Sequence, residues 1–209
     1  EIFSKKELVE KFSMERVHSA GAKFDYDKAK WFNHEWIKKS SAAELKPAVR
    51  LLLAEKGIPA DNDVLLETVI ELVKDRCTLL PDFVQQSSFF FTAPDTWDVD
   101  AVRPKWNADK KAFFEAYALR LQEVSDWDYG ILENEFKNVA VDKSIKPGEL
   151  QLPFRIMLVG GKFGPPVFHI AEVLGKNETI HHNSLVVRVD SFGPCRKPER
   201  NHDAAEKEE

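Results

Sequence analysis

Cysteine is nearly absent: Cys77 and Cys195 are the only two in 209 residues, far apart and with no Cys-x-x-Cys pairing. That excludes a disulfide framework and a zinc ribbon, and it fits a reducing cytoplasm. No apolar run approaches the ~20 residues that a bilayer span needs, and no charged, apolar, small-residue leader is visible, so no membrane association is expected. The start at Glu1, without Met, reads as a cut. The common nucleotide and hydrolase signatures are also missing: Gly-x-x-x-x-Gly-Lys-Ser/Thr, His-Glu-x-x-His and Gly-x-Ser-x-Gly do not occur. The six histidines, His18, His34, His169, His181, His182 and His202, show no ligand spacing, so no metal is expected.

What is present suits a helical globular protein. Hydrophobic residues make up 43% of the chain, enough for a proper core. The net charge of -5 argues against a generic nucleic-acid coat, but the charge is uneven. Residues 1–50 carry 11 Lys+Arg against 8 Asp+Glu, whereas residues 51–150 carry 11 against 19. An acidic body can still bind RNA where cations cluster on one face, because the surrounding negative charge repels wrong registers.

Local signals predict a succession of helices. Ser4 to Glu7 and Ser41 to Glu44 are capping boxes, and Asp25 is a third start. The helix opened by Ser41 is expected to be reset by Pro47 and ended by Gly57. From Asn62 or Asp63 to about Cys77, the positions Val64, Leu65, Val69, Leu72 and Val73 form a 3.6-residue stripe. Helices follow at 80–88 and 108–124. Ser125 or Asp126 should then open one to about Val141, with Ile131 among its inward residues. Phe89, Phe90 and Phe91 form an aromatic plug before a turn at 92–95, and 94–104 should connect two bundles. The apolar run 152–159 is assigned as helix with Pro153 in its first turn, ahead of a loop at 160–166 and a helix from Val167 to Leu174.

The segment from Phe12 to Ile37 mixes rings with cations. A small-residue turn, Ser19 to Ala22, leads into Phe24 and Asp25. Phe32 and Trp36 then recur at helical spacing, with Trp31 one step round and Lys23, Lys28, Lys30, Lys38 and Lys39 interspersed. Ammonium groups neutralise phosphates and exposed indoles stack on bases. Spacing alone favours an ordinary amphipathic helix with its aromatics in the core.

The order Met14-Glu15-Arg16-Val17, small turn, Phe24-Asp25, then Trp31 and Asn33 resembles the region just beyond the catalytic lysine loop of bacterial-type glutamyl-tRNA synthetases. The likeness extends through Trp127, the Leu-Gln-Leu-Pro-Phe-Arg stretch ending at Arg155, and Gly164-Pro165-Pro166-Val167 running to Gly175-Lys176. It covers roughly residues 2–180. Asn183 to Glu209 departs from the family's basic helix and is read as a disordered or altered tail. The resemblance implies an all-α fold of two stacked helical bundles of the anticodon-binding cage type. It divides the chain into the end of a stem-contact region (1–39), two anticodon-binding subdomains (40–95 and 96–180) and an atypical tail (181–209).

The same resemblance implies tRNA(Glu) binding and anticodon recognition within a glutamate–tRNA ligase. The Rossmann domain, with its His-x-Gly-His-type motif and Lys-rich loop, is absent, so this chain alone should be inactive. ATP and Mg are then cofactors of the parent enzyme, not of this fragment. Implied partners are tRNA(Glu), with tRNA(Gln) a further candidate, and the N-terminal catalytic domain; a monomer is expected. Arg76 matches an arginine that meets the third anticodon base, where a guanidinium suits the O2 and N3 acceptors of cytosine and not the N1 donor of guanine. Arg155 matches an anticodon-proximal arginine, and Gly164, Pro165 and Val167 a loop that shapes base pockets. The family often has Thr-Pro-Gly-Leu there, so a hydroxyl is lost at 164. Lys28 and Trp31, with Arg16 nearby, match residues facing the anticodon stem and loop.

Two other readings use the same residues. An α-helical protein-interaction or scaffold domain needs no exposed Arg76 or Arg155. A KH-type RNA module would use Gly161-Lys162-Phe163-Gly164 as its Gly-x-x-Gly loop, but it requires three strands.

Overall fold

Capping chemistry sets where the helices begin. In the computed structural model, which describes residues 2–17 and 23–186, both capping boxes are closed: Ser4 and Ser41 accept from the amides of Glu7 and Glu44, whose carboxylates accept from the Ser amides. They open α1 (Lys5–Lys11) and α3 (Ala42–Glu55). Asp25 opens α2 (Tyr26–Lys39) by accepting from the amides of Asp27 and Lys28 at 3.0 Å. The small-residue turn at 19–22 lies outside the described residues.

The first bundle is built from α2, α3, α4 (Asp63–Val73) and α5 (Asp82–Ser87). Pro47 does not reset α3, which runs through it unbroken. Pro47 is exposed, so water can serve the carbonyl that its missing N–H leaves free. In α4, Asn62 caps the amide of Leu65 at 3.1 Å, which turns Leu66, Val69, Ile70 and Val73 inward. Val64, expected in that stripe, instead faces solvent in the first turn, 76% exposed. The helix also stops short of Cys77, tightening into a 3₁₀ turn over Lys74–Arg76. The helix expected over 80–88 starts later because Asp82 accepts from the amides of Thr78 and Leu79, both at 2.8 Å. A 3₁₀ turn, Ser88–Phe90, then buries Phe89 and Phe90 as the plug.

The second bundle comprises α6 (Ala108–Glu123), α7 (Tyr129–Asp142), α8 (Gly148–Val159), α9 (Val167–Leu174) and α10 (Lys176–Val186). Its centre is an aromatic cluster in which Phe113, Phe114, Tyr117, Phe136, Phe154 and Phe168 meet edge-on or offset. Each buried ring contributes about 1.5–3 kcal/mol through removal from water.

Four expectations fail here. Asp128, not Ser125 or Asp126, caps α7, because Trp127 is anchored first by its Nε1 donating to the Ala171 carbonyl at 3.0 Å. That start leaves Ile131 exposed instead of inward. Pro153 lies in mid-helix rather than the first turn of α8, since the helix already begins at Gly148 and buries Leu150. The chain is also helical beyond Ile180, as far as Val186. Thr179 Oγ1 donates to the Ala171 carbonyl and Asn183 Nδ2 to that of Phe114, each at 3.1 Å, fastening α10 to its neighbours. The rest of the tail lies outside the described residues.

The two bundles share one continuous hydrophobic core. Across their seam α9 touches α4 and the Ser88–Phe90 turn. The connection over 94–106 is fixed to the end of α8: the Asp98 amide donates to the Gly160 carbonyl at 2.8 Å, and Trp97 Nε1 to that of Met157 at 3.2 Å. Gly160 permits this approach. At φ 79° it is left-handed, and a Cβ there would come within 2.5 Å of the Thr96 oxygen. Among the described residues there is no strand, and no helix is long and apolar enough to cross a membrane.

Candidate nucleic-acid interface

The turn carrying Arg76 is braced from two sides. From α2, Asn33 Nδ2 donates to the carbonyl of Thr78, and His34 Nδ1 donates to that of Cys77 at 2.8 Å. From the start of α5, the Asp82 carboxylate holds the amides of Thr78 and Leu79. Lys74, at the head of the turn, pairs with Glu71 at 2.6 Å and donates to the Ser40 carbonyl at 3.3 Å. Arg76 is left exposed on a rigid step. No described carboxylate pairs with it within 4.0 Å, so neither Asp75 nor Asp82 takes it up.

Across the seam stands Arg155 of α8, half-buried, with Nη1 donating to the carbonyls of Phe163, Gly164 and Pro165. Burial, and secondarily the charge of Arg76, lowers the pKa of the Arg155 guanidinium. The two arginines, remote in sequence and on different bundles, therefore share one electrostatic neighbourhood. Gly164, Pro165 and Val167 are buried around the Arg155 side of it, with Phe89 beneath Gly164. Next to this lies a cleft of about 460 Å³ between the bundles, lined by Lys56, Ile58, Phe89, Thr92 and Asp95 among others.

Of the α2 residues, Trp31 is 44% exposed, so it is not a core residue. Its ring meets Phe32 edge-on with centroids 5.0 Å apart, and the Lys28 ammonium lies 5.8 Å from the centroid of the same Phe32 ring. An indole and an ammonium thus flank one phenyl at the surface. Arg16 ends an exposed 3₁₀ turn, Met14–Arg16, on the far side of the undescribed segment, and its side chain has no ion pair among the described residues. The structure thus gathers Arg155 with the carbonyls of residues 163–165, and Arg76 is near enough for its charge to act on that guanidinium.

Asn33, His34 and Asp82 were not picked out as site residues, although they position Arg76. Asn33 had a signal as part of the Trp-x-Asn pair, and Asp82 one as an acid following Pro81 at a helix start; His34 had none. The Gly161-Lys162-Phe163-Gly164 stretch is not a KH loop: it joins two helices, both glycines are buried, and Lys162 pairs with Asp98 at 3.4 Å.

A family model described as "Anticodon binding domain" matches residues 26–182. The chain belongs to this family. Three comparisons place the anticodon-binding domain among longer proteins. It is 36% identical over 180 residues to the glutamate–tRNA ligase of Flavobacterium johnsoniae, covering 86% of this chain and 36% of that protein. It is 36% identical over 189 residues to that of Phocaeicola vulgatus, covering 90% and 37%. The crystal structure of a glutamate tRNA ligase from Elizabethkingia meningosepticum in complex with its amino acid superposes with a TM-score of 0.81 at 29% identity, over 90% of this chain and 37% of the other. The chain thus spans little more than a third of the length of these relatives, and the matched family coincides with the two bundles just described. Among the described residues no group of three or more His, Cys, Asp or Glu is placed to hold a metal ion.

Proposed function

We propose that this chain is the tRNA-binding, anticodon-reading part of a glutamate–tRNA ligase, a polypeptide that attaches glutamate to tRNA using ATP. The observation that carries the reading is Arg76, an exposed guanidinium with no carboxylate partner among the described residues, on a turn braced by Asn33, His34 and Asp82, its charge acting on Arg155 of the other bundle. A fork of donors on a rigid base suits the acceptor edge of a nucleobase. Lys28 and Trp31 supply a phosphate contact and a stacking surface on the approach. In this reading residues 1–39 end a stem-contact region, 40–95 and 96–180 form two anticodon-binding subdomains, and the protein works as a cytoplasmic monomer. ATP and magnesium are, in this reading, cofactors of the whole ligase and act outside this part of it.

The test is titration with tRNA(Glu) and tRNA(Gln) of the chain and of its Arg76→Gln variant. The variant keeps a donor and loses the charge and the fork, so the preference for C over G at the third anticodon base should shrink by about 1–3 kcal/mol. The melting temperature should hardly move, because an exposed Arg contributes little to the fold. An unchanged preference with a lower melting temperature would make Arg76 a structural residue and remove the main support for the proposal. The chain alone should give no glutamate-dependent pyrophosphate exchange.

A further inference from the structure

One nitrogen of Arg155 gathers three successive carbonyls: Nη1 lies 3.1 Å from the oxygen of Phe163, 3.1 Å from that of Gly164 and 2.7 Å from that of Pro165. Nη1 has two hydrogens, so at least one is shared between acceptors. Consecutive carbonyls turn to one side here because the chain reverses at Gly164, whose φ of 102° disfavours any side chain. A Cβ at 164 would also stand 3.4 Å from Phe89 and Ile170 and 3.6 Å from Nη1 itself. No described carboxylate pairs with Arg155, and it sits half-buried with another cation as neighbour. The dipoles of the loop are therefore what hold this cation, and the cation holds the loop.

We propose that Arg155 is a positioning residue for anticodon reading: it fixes the 163–165 loop through its backbone, and Arg76 is the guanidinium left to meet the RNA. This rests on the function proposed above. Gly164 offers no side chain, so a nucleotide docked at this loop meets its shape and main chain. Any loss of that shape is then a loss of discrimination rather than of general RNA affinity.

The experiment measures binding of the 209-residue chain to tRNA(Glu) transcripts bearing single anticodon substitutions, across a salt series, for the wild type, Arg155→Met, Arg155→Lys and Gly164→Ala. Arg155→Met should reduce discrimination at one anticodon position by about tenfold, with an unchanged log-log salt slope, because no phosphate contact is removed. Gly164→Ala removes no charge yet displaces the same loop. It should give the same loss, and the double variant should be no worse than either single one. Arg155→Lys, which retains a cation able to reach the carbonyls, should recover part of the discrimination.

A salt slope reduced by about 0.7–0.9 on Arg155→Met would assign Arg155 to the RNA backbone and overturn the proposal. A lower melting temperature with discrimination intact would overturn it too. If Arg155→Met fails to fold, Gly164→Ala decides alone, and full discrimination there sinks the idea. A wild-type chain indifferent to every anticodon substitution would overturn the anticodon-reading function itself, and this proposal with it.

Discussion

The hydroxyl of Tyr117 donates to the carbonyl of Leu132 at 3.0 Å, tying α6 to α7 inside the aromatic cluster. Burial raises the phenol pKa, with Glu135 a lesser cause, so the group remains a donor at any physiological pH. Tyr117→Phe keeps the ring and removes the bond, and should cost about 1 kcal/mol, read as a melting-temperature drop of roughly 2–4 °C. An unchanged melting temperature would show that the bond adds nothing to packing.

Gly160→Ala should destabilise by about 2 kcal/mol, since the left-handed backbone and the Thr96 oxygen both oppose a Cβ. The displaced connection should also release the Trp97 indole from the Met157 carbonyl. Faster hydrogen exchange of that indole N–H is the local readout. Exchange as slow as in the wild type would mean that the linker is held by something else.

His182 makes stability depend on pH. Burial lowers its pKa in the folded protein, His181 adds to the shift, and Glu178, 3.8 Å away, opposes it. With the folded pKa below the unfolded one, the unfolded chain takes up the proton first. Stability is therefore complete above the ordinary histidine value of about 6.5 and falls as pH drops from there to the folded pKa, at no more than about 1.4 kcal/mol per pH unit for one proton. Thermal melts of wild type and His182→Gln between pH 7.5 and 5.5 (about one unit either side of 6.5) check this. Equal slopes in the two proteins would remove His182 as the cause.

Lys28→Ala should weaken all tRNAs alike and lower the log-log salt slope by about 0.7–0.9, one phosphate contact. The expectation follows from the exposed position of Lys28 against Phe32. Filter binding over a salt series measures it. An unaltered slope would place Lys28 away from the RNA backbone.

Helix starts were legible where the cap is a short-range matter. Ser4, Asp25, Ser41 and Asn62 each act on an amide two or three residues on, so adjacent sequence contains the whole interaction. The start of α7 was not legible. Ser125, Asp126 and Asp128 are all competent caps, and the choice is made by Trp127 reaching the Ala171 carbonyl, a partner distant in the chain. Pro153 failed as a first-turn marker for a similar reason. Burial of Leu150, Phe154 and Met157 outweighs the roughly 3 kcal/mol that a mid-helix proline costs. Arg76 and Arg155 were expected as site residues only through the family resemblance, and the difference between their surroundings was not legible at all. Which guanidinium is free and which is occupied depends on how the 163–165 loop folds back, and only the left-handed turn at Gly164 decides that.

The grip of Arg155 falls on carbonyl oxygens, which every amino acid carries alike. It is therefore indifferent to side-chain identity at 163 and 165 and exacting only at 164. Substitutions at Pro165 can alter what the loop displays while its anchorage persists, provided the new residue tolerates the same backbone. A loop held in this way is open to drift in its chemistry without a matching loss of form, whereas in this chain any residue but glycine at 164 works against the left-handed turn that holds it.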